Sequence, residues 1–101
     1  ELYHKFDCDD GESYVEVYYS CQNIRGVRML NIHRFNVRPG DAWGKGYGRS
    51  AIDQLAVFAR ANGARYLVAQ DTGGDSIPFW VALGFQYKLG PNRRVDYWRV
   101  V

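Results

Sequence analysis

The chain has 101 residues, 47% hydrophobic and 16% aromatic, and a formal net charge of +2. That length suits one domain with a modest core, the composition is not that of a disordered tail, and so small a charge makes no case for nucleic acid. No apolar run reaches the roughly 20 residues of a membrane-spanning helix, and the N-terminus lacks a signal-peptide pattern, so one cytoplasmic domain over residues 1–101 is expected, with no membrane partner.

Residues 3–8 and 13–21 are rich in Tyr, Val, Phe and Cys and flank Asp9-Asp10-Gly11-Glu12, turn chemistry suited to an antiparallel hairpin. Such a turn sets Cys8 opposite Ser13 or Tyr14 rather than Cys21, so no disulfide is expected. Two cysteines without clustered histidines also make no metal site. Asn23-Ile24-Arg25-Gly26 is a second turn, and a third strand from Val27 to Val37 completes a meander. Strict alternation puts Met29, Asn31, His33, Phe35 and Val37 on one face of that strand, and Arg28, Leu30, Ile32, Arg34 and Asn36 on the other. Polar residues fall in both rows, which predicts that each face meets something other than pure core.

The next stretch, Val37-Arg38-Pro39-Gly40-Asp41-Ala42-Trp43-Gly44-Lys45-Gly46-Tyr47-Gly48-Arg49, leads into a helix. Ile52, Leu55, Ala56 and Ala59, at i, i+3, i+4 and i+7, form its apolar stripe. Gly44, Gly46 and Gly48 leave the backbone free of Cβ atoms where the strand ends and the helix begins. The free N–H groups and dipole of the helix start then point into the loop, an arrangement suited to a phosphate or pyrophosphate, and Lys45 and Arg49 add positive charge. The loop is neither a P-loop, because Gly46 follows Lys45, nor a dinucleotide fingerprint, because Gly44 to Gly48 is one residue short.

Gly63 caps this helix, and Ala64 to Gln70 reads as a buried strand, which makes a parallel strand–helix–strand unit. Residues 71–75 form a loop, Asp75 or Ser76 caps a short second helix with Pro78 in its first turn, and Gly84 ends it. Strands from Phe85 to Leu89 and from Arg94 to Val101 follow, joined by a turn at Gly90-Pro91-Asn92.

Trp43-Gly44-Lys45-Gly46-Tyr47-Gly48 resembles the acetyl-CoA loop of the GNAT superfamily of N-acetyltransferases, Arg/Gln-x-x-Gly-x-Gly/Ala, with Trp43 at the Arg/Gln position. Ile77-Pro78-Phe79-Trp80-Val81-Ala82-Leu83-Gly84-Phe85 is similar to the family's FYxxLGF segment, with Trp80 where the family often has Tyr. The resemblance implies an α/β (α+β) fold: a mixed, mainly antiparallel sheet with a central strand–helix–strand unit and two helices. It implies transfer of an acetyl group from acetyl-CoA to an amine acceptor by direct attack on the thioester. Main-chain groups of Gly44, Lys45, Gly46, Tyr47, Gly48 and Arg49 would cradle the pyrophosphate, and Phe35, Asn36 and Val37 would align the pantetheine. Trp43 would lie beside the cofactor, at a subunit contact or at the loop edge. The third strand is expected to splay from Leu67 to Ala69 and leave a slot for the thioester. Family members usually begin with a further strand and one or two helices that wall the acceptor groove, for which this chain has no room. A naturally compact member, a trimmed chain, or a homodimer whose second copy supplies the wall are all consistent with that.

For the proton transfers, His33 is a candidate base, because imidazole titrates near neutrality and the family often presents its base from this strand; the commoner role of such a residue is that of a half-buried strand histidine bonded to a neighbour. Asp71 and Asp75 are alternatives, although turn and capping roles explain both. The family's tyrosine acid aligns with Trp80, whose indole cannot serve as an acid. Either water protonates the thiolate, or Tyr87 or Tyr47 substitutes. Two other classes stay open. One is a catalytically degenerate CoA-binding or protein-interaction module. The other, disfavoured, is a nucleic-acid binder using Tyr14, Tyr18 and Tyr19 with nearby arginines, whose hairpin also carries five acids and no RNP-type motif.

Overall fold

A computed structural model describes residues 1–40, 44–72 and 76–101, with the main chain alone for Asp71 and Thr72. Its elements are strands β1 (Leu2–Asp7), β2 (Tyr14–Ile24) and β3 (Val27–Arg38), helix α1 (Tyr47–Ala61), strand β4 (Tyr66–Thr72), helix α2 (Ile77–Ala82), and strands β5 (Gln86–Leu89) and β6 (Arg94–Val100). The strands form one sheet in the order β1-β2-β3-β4-β6-β5. Among the described residues only β3 and β4 run parallel, as the connection through α1 requires; the other neighbours are antiparallel. This is the mixed, mainly antiparallel α/β architecture with a central strand–helix–strand unit.

The hairpin turn is built on Asp10. Its carboxylate accepts the N–H groups of Ser13 (2.7 Å) and Glu12 (2.9 Å) and the Ser13 hydroxyl. The Ser13 hydroxyl first, then these two N–H groups, hold the carboxyl well below the usual Asp range. The Cys8 N–H donates to Ser13 O at 2.9 Å, as the turn predicts, and both cysteines are free.

Strict alternation along β3 fails, and the cause is a bulge. Tyr18 pairs with Arg34, but Tyr19 pairs with Ile32, so His33 is an extra residue in β3 with no opposite number in β2. The bulge switches the phase of the strand. Leu30 and Ile32 before it, and Phe35 and Val37 after it, share a face with Val15, Val17 and Tyr19, while Asn31, His33, Arg34 and Asn36 go to the other. From Leu30 to Val37 the predicted mixture of polar residues in both rows therefore resolves into one apolar row and one polar row, whereas before it Arg28 keeps step with Leu30 and Met29 with Asn31.

Both helices lie on the apolar face. Helix α1 buries Gly48, Ala51, Ile52, Leu55 and Ala59, whereas Ala56 is only half-buried, and its Phe58 ring reaches Tyr19 at 6.0 Å. From α2, Trp80 packs against Phe85 (5.0 Å), Phe79 (5.1 Å) and Tyr97 (5.6 Å), which makes it a core aromatic. On the opposite face, Tyr3 stacks on Tyr18 at 4.8 Å, Lys5 covers the Tyr14 ring, Arg34 covers the Tyr18 ring, and Arg38 pairs with Glu16. Tyr19, grouped by sequence with Tyr14 and Tyr18, is instead in the core.

Two further boundaries differ from expectation. Asp71 and Thr72 are strand residues, paired with Val95 and Arg94, because β6 offers β4 an antiparallel partner to its end. Ser76 precedes α2 but makes no side-chain capping bond; Asp75, the other expected cap, lies outside the described residues, as do Gly73 and Gly74.

Two outcomes follow for stability. Trp80→Ala should cost about 3–5 kcal/mol in urea denaturation, as for a buried aromatic whose site cannot collapse. Asp10→Ala should destabilise the chain at neutral pH. Because the folded-state pKa is depressed, the Asp10 contribution is complete above the ordinary Asp value of about 3.9 and fades as the pH falls below it. The gap between variant and parent should narrow between urea titrations at about pH 7 and about pH 2.

Candidate functional site

The sheet opens between its two parallel strands. The last rung joining β3 to β4 is Ile32 with Ala69. Beyond it β3 continues along β2 to Arg38, opposite Tyr14, while β4 continues along β6 to Thr72, opposite Arg94. On the helix side, the Phe35 ring sits 6.1 Å from both Phe79 and Trp80. The aromatic side chains of α2 thus bridge from β3 past the split to Tyr97 on β6 and give it an apolar floor. On the other face lies a cavity of about 600 Å³, walled by Ser20, Gln22, Asn31, His33 and Gln70 among others. His33 is exposed there, with Nε2 2.8 Å from Ser20 Oγ, and Asn31 Nδ2 donates to Gln22 Oε1 at 2.7 Å.

The chain leaving β3 arrives at the start of α1. Gly46 is the N-cap, with φ 82°, and Gly44 has φ 88°; both are left-handed values at which a Cβ is strained. A Cβ built on Gly40, Gly44 or Gly46 would meet nothing within 4 Å, so the backbone here is open. The Ser50 N–H donates to Gly46 O at 3.1 Å, the first bond of the helix, which leaves the N–H groups of Tyr47, Gly48 and Arg49 without intrahelical acceptors. Among the described residues, no side-chain oxygen caps this end and no acid stands in its first turn. The first-turn N–H groups of this 15-residue helix thus remain available to an anion such as a pyrophosphate, with the Asp9 and Asp10 carboxylates facing the Tyr47 side chain at the same end.

The residues around it divide. Lys45 is exposed beside the loop, and Gly48 lies in the first helical turn and is buried, so the open loop has two glycines at its end rather than three. The Arg49 side chain turns away. Its guanidinium donates to Ala82 O at 2.8 Å and sits 3.4 Å from Asp53, whose carboxylate also holds Arg99 at 2.9 Å, and Arg99 donates to Leu83 O. That charge ties α1 to the end of α2. Trp43 lies outside the described residues.

His33 lies at the split, and the main chain of Phe35, Asn36 and Val37 runs along it. The main chain of Asp71 pairs with Val95, past the last β3 rung. The phenols are elsewhere. Tyr87 is 45% exposed on the edge strand β5, opposite Tyr97, and β6 separates it from β4. The Tyr47 hydroxyl faces the Asp9 and Asp10 carboxylates; loss of hydration, then these charges, push its pKa up to about 12 and make it a poor proton donor. Ser20, Gln22, Asn31 and Gln70 escape a motif search, because their only signal is polarity at outward strand positions near the split.

The sequence profile of the acetyltransferase (GNAT) family matches residues 8–85. Solved structures share the fold. A GNAT-family acetyltransferase from Listeria monocytogenes superposes with TM-score 0.69 at 12% identity, over 90% of this chain and 65% of its own. An acetyltransferase from Thermus thermophilus gives 0.62 at 26% identity, over 90% and 57%. A Bacillus subtilis acetyltransferase in complex with CoA gives 0.63 at 13%, over 88% and 76%. This chain thus spans less than two thirds of the first two, and no curated protein matches it. The profile takes in β2 and β3, the glycine loop, the split and α2 together, and the chain belongs to the GNAT family of acetyltransferases.

Proposed function

We propose that this chain is an acetyl-CoA-dependent N-acetyltransferase acting on a primary amine of a small molecule or protein. The observation that carries this reading is the pairing of two features on consecutive elements of the chain: β3 parts from β4 beyond Ile32, and the next helix, α1, begins uncapped behind two open glycines. The main-chain N–H groups from Gly44 to Arg49, with the Lys45 charge, would hold the pyrophosphate, and the main chain of Phe35, Asn36 and Val37 would align the arm. Acetyl-CoA supplies an acyl thioester.

His33 takes a proton from the acceptor ammonium, which frees the nitrogen lone pair to attack the thioester carbonyl. As the C–N bond would form the C–S bond would break, sulfur leaving with the electron pair as a thiolate, which takes up the second proton released by the nitrogen to give the amide and a free thiol. Thiols ionise near about pH 8.5, so this departure needs no side-chain acid. The reading accommodates Trp80 in the core, Tyr47 facing carboxylates and Tyr87 on the edge strand. The uncharged cavity wall, amides and a hydroxyl beside His33, favours an acceptor held by hydrogen bonds rather than by ion pairs.

Calorimetric titration with acetyl-CoA and CoA, followed by a thiol-release assay over a panel of amines and peptides, tests the whole reading. Binding with amine-dependent thiol release is expected; binding without release would replace the transferase by a CoA-binding module, and absence of binding would overturn the site. Gly46→Glu should weaken CoA binding by more than about 100-fold, roughly 2.7 kcal/mol, with Gly46→Ala as the control for backbone strain. Undiminished affinity in folded Gly46→Glu would remove the loop assignment. His33→Gln should flatten the acidic limb of the pH–rate profile, and an unchanged profile would return His33 to a structural role.

A further inference from the structure

His33 is an unusual place for a strand histidine. The bulge removes it from the β2–β3 register, its side chain stands on the open face, and solvent reaches it, so packing alone does not fix its ring. What fixes it is Ser20. This β2 residue pairs with Asn31 of β3, lines the same cavity, and brings Oγ to 2.8 Å from His33 Nε2. Among the described residues, no hydrogen bond reaches the other ring nitrogen.

Resting on the proposed role of His33, the chemistry selects one arrangement. A base must offer a bare nitrogen, and Nε2 is occupied by serine, so Nδ1 has to be the bare one. We infer that Ser20 is a positioning residue: its Oγ accepts the Nε2–H of His33 and holds the ring in the tautomer whose bare Nδ1 receives the acceptor's proton. The ammonium then loses one proton to Nδ1 and keeps its lone pair for the thioester carbon, while the imidazolium so formed remains bonded to serine through Nε2. Among the described residues, Cys21 is the other titratable residue of the cavity wall, and β4 contributes Val68, Ala69 and Gln70 there, with Asp71 next in the chain; Gln70 pairs with Asp96 of β6, which Arg94 engages at 3.2 Å. On the same sheet face, Arg34 is engaged by Glu1 at 3.3 Å and by the Tyr18 ring at 4.5 Å, and Arg38 by Glu16 at 3.1 Å.

Two measurements on the intact chain test this. Long-range ¹H–¹⁵N spectra, with the signals of His33 assigned against His33→Gln, should show Nε2 protonated and Nδ1 bare in the parent, and a mixture of tautomers in Ser20→Ala. A parent with the proton on Nδ1, or a Ser20→Ala spectrum identical to the parent, would overturn the assignment. In thiol release from acetyl-CoA, using the best amine of the panel or water if none exceeds it, Ser20→Ala should lower kcat about tenfold and move the acidic limb of the pH profile. The KM for acetyl-CoA should stay unchanged, and Ser20→Thr should restore the rate. Parental behaviour of Ser20→Ala beside a flattened profile in His33→Gln would sink the serine and leave the base standing. A parental profile in His33→Gln would remove both.

Discussion

One extra residue in β3 organises the candidate site. By letting Tyr19 face Ile32 while Tyr18 faces Arg34, the bulge changes the phase of the strand without changing that of its partner. The apolar row of β2, Val15, Val17 and Tyr19, stays unbroken, so the core accepts the defect at little cost. The change of phase coincides with the end of pairing to β4, which stops at Ile32 and Ala69. A strand that shifts phase can therefore keep one neighbour and leave the other, and the parallel β4 is the neighbour it leaves. The slot, the outward histidine and the inward Phe35 above α2 are three results of that one insertion.

Much of the architecture was legible because its signals are local. The turn acids Asp9 and Asp10, the glycines closing the loop before α1, and the i, i+3, i+4 stripe of Ile52 and Leu55 each specify their own element. The bulge was not legible, because alternation assumes an unbroken register, and the polar residues it sorts, Arg34 and Asn36, looked misplaced only for want of it. Arg49 was legible as a cation near the loop but not as a tie to Ala82, since that partner is 33 residues away in the chain. Ser20 carries no motif at all. Its significance is a distance to His33 across two strands, which only the folded sheet supplies.

The ties between α1 and α2 show how little of the site is local. Asp53 receives Arg49 from its own helix and Arg99 from β6, and the two arginines also occupy the carbonyls of Ala82 and Leu83 where α2 ends. Each group is partly exposed, so the ion pairs individually contribute little. Their effect is geometric. The end of α2, whose aromatics floor the split, is held against the start of α1, whose N–H groups line the loop, and the two halves of the candidate site are thereby kept in register.

The order of strands in the sheet sets the order in which this fold can be completed. The strand that lies between β4 and β5 is β6, residues Arg94–Val100, and it contributes Val95 and Tyr97, both wholly buried. During synthesis β1, β2, β3, α1 and β4 emerge before it, and β4 has one flank unpaired until residue 94 and its successors follow. The β1–β2–β3 meander forms from near neighbours and can assemble early, whereas the far side of the split must wait for pairing across the longer interval. The wall of the slot formed by β4 is thus among the last parts of this chain to become rigid, and for that interval the nascent chain presents an unpaired, largely apolar strand to its surroundings.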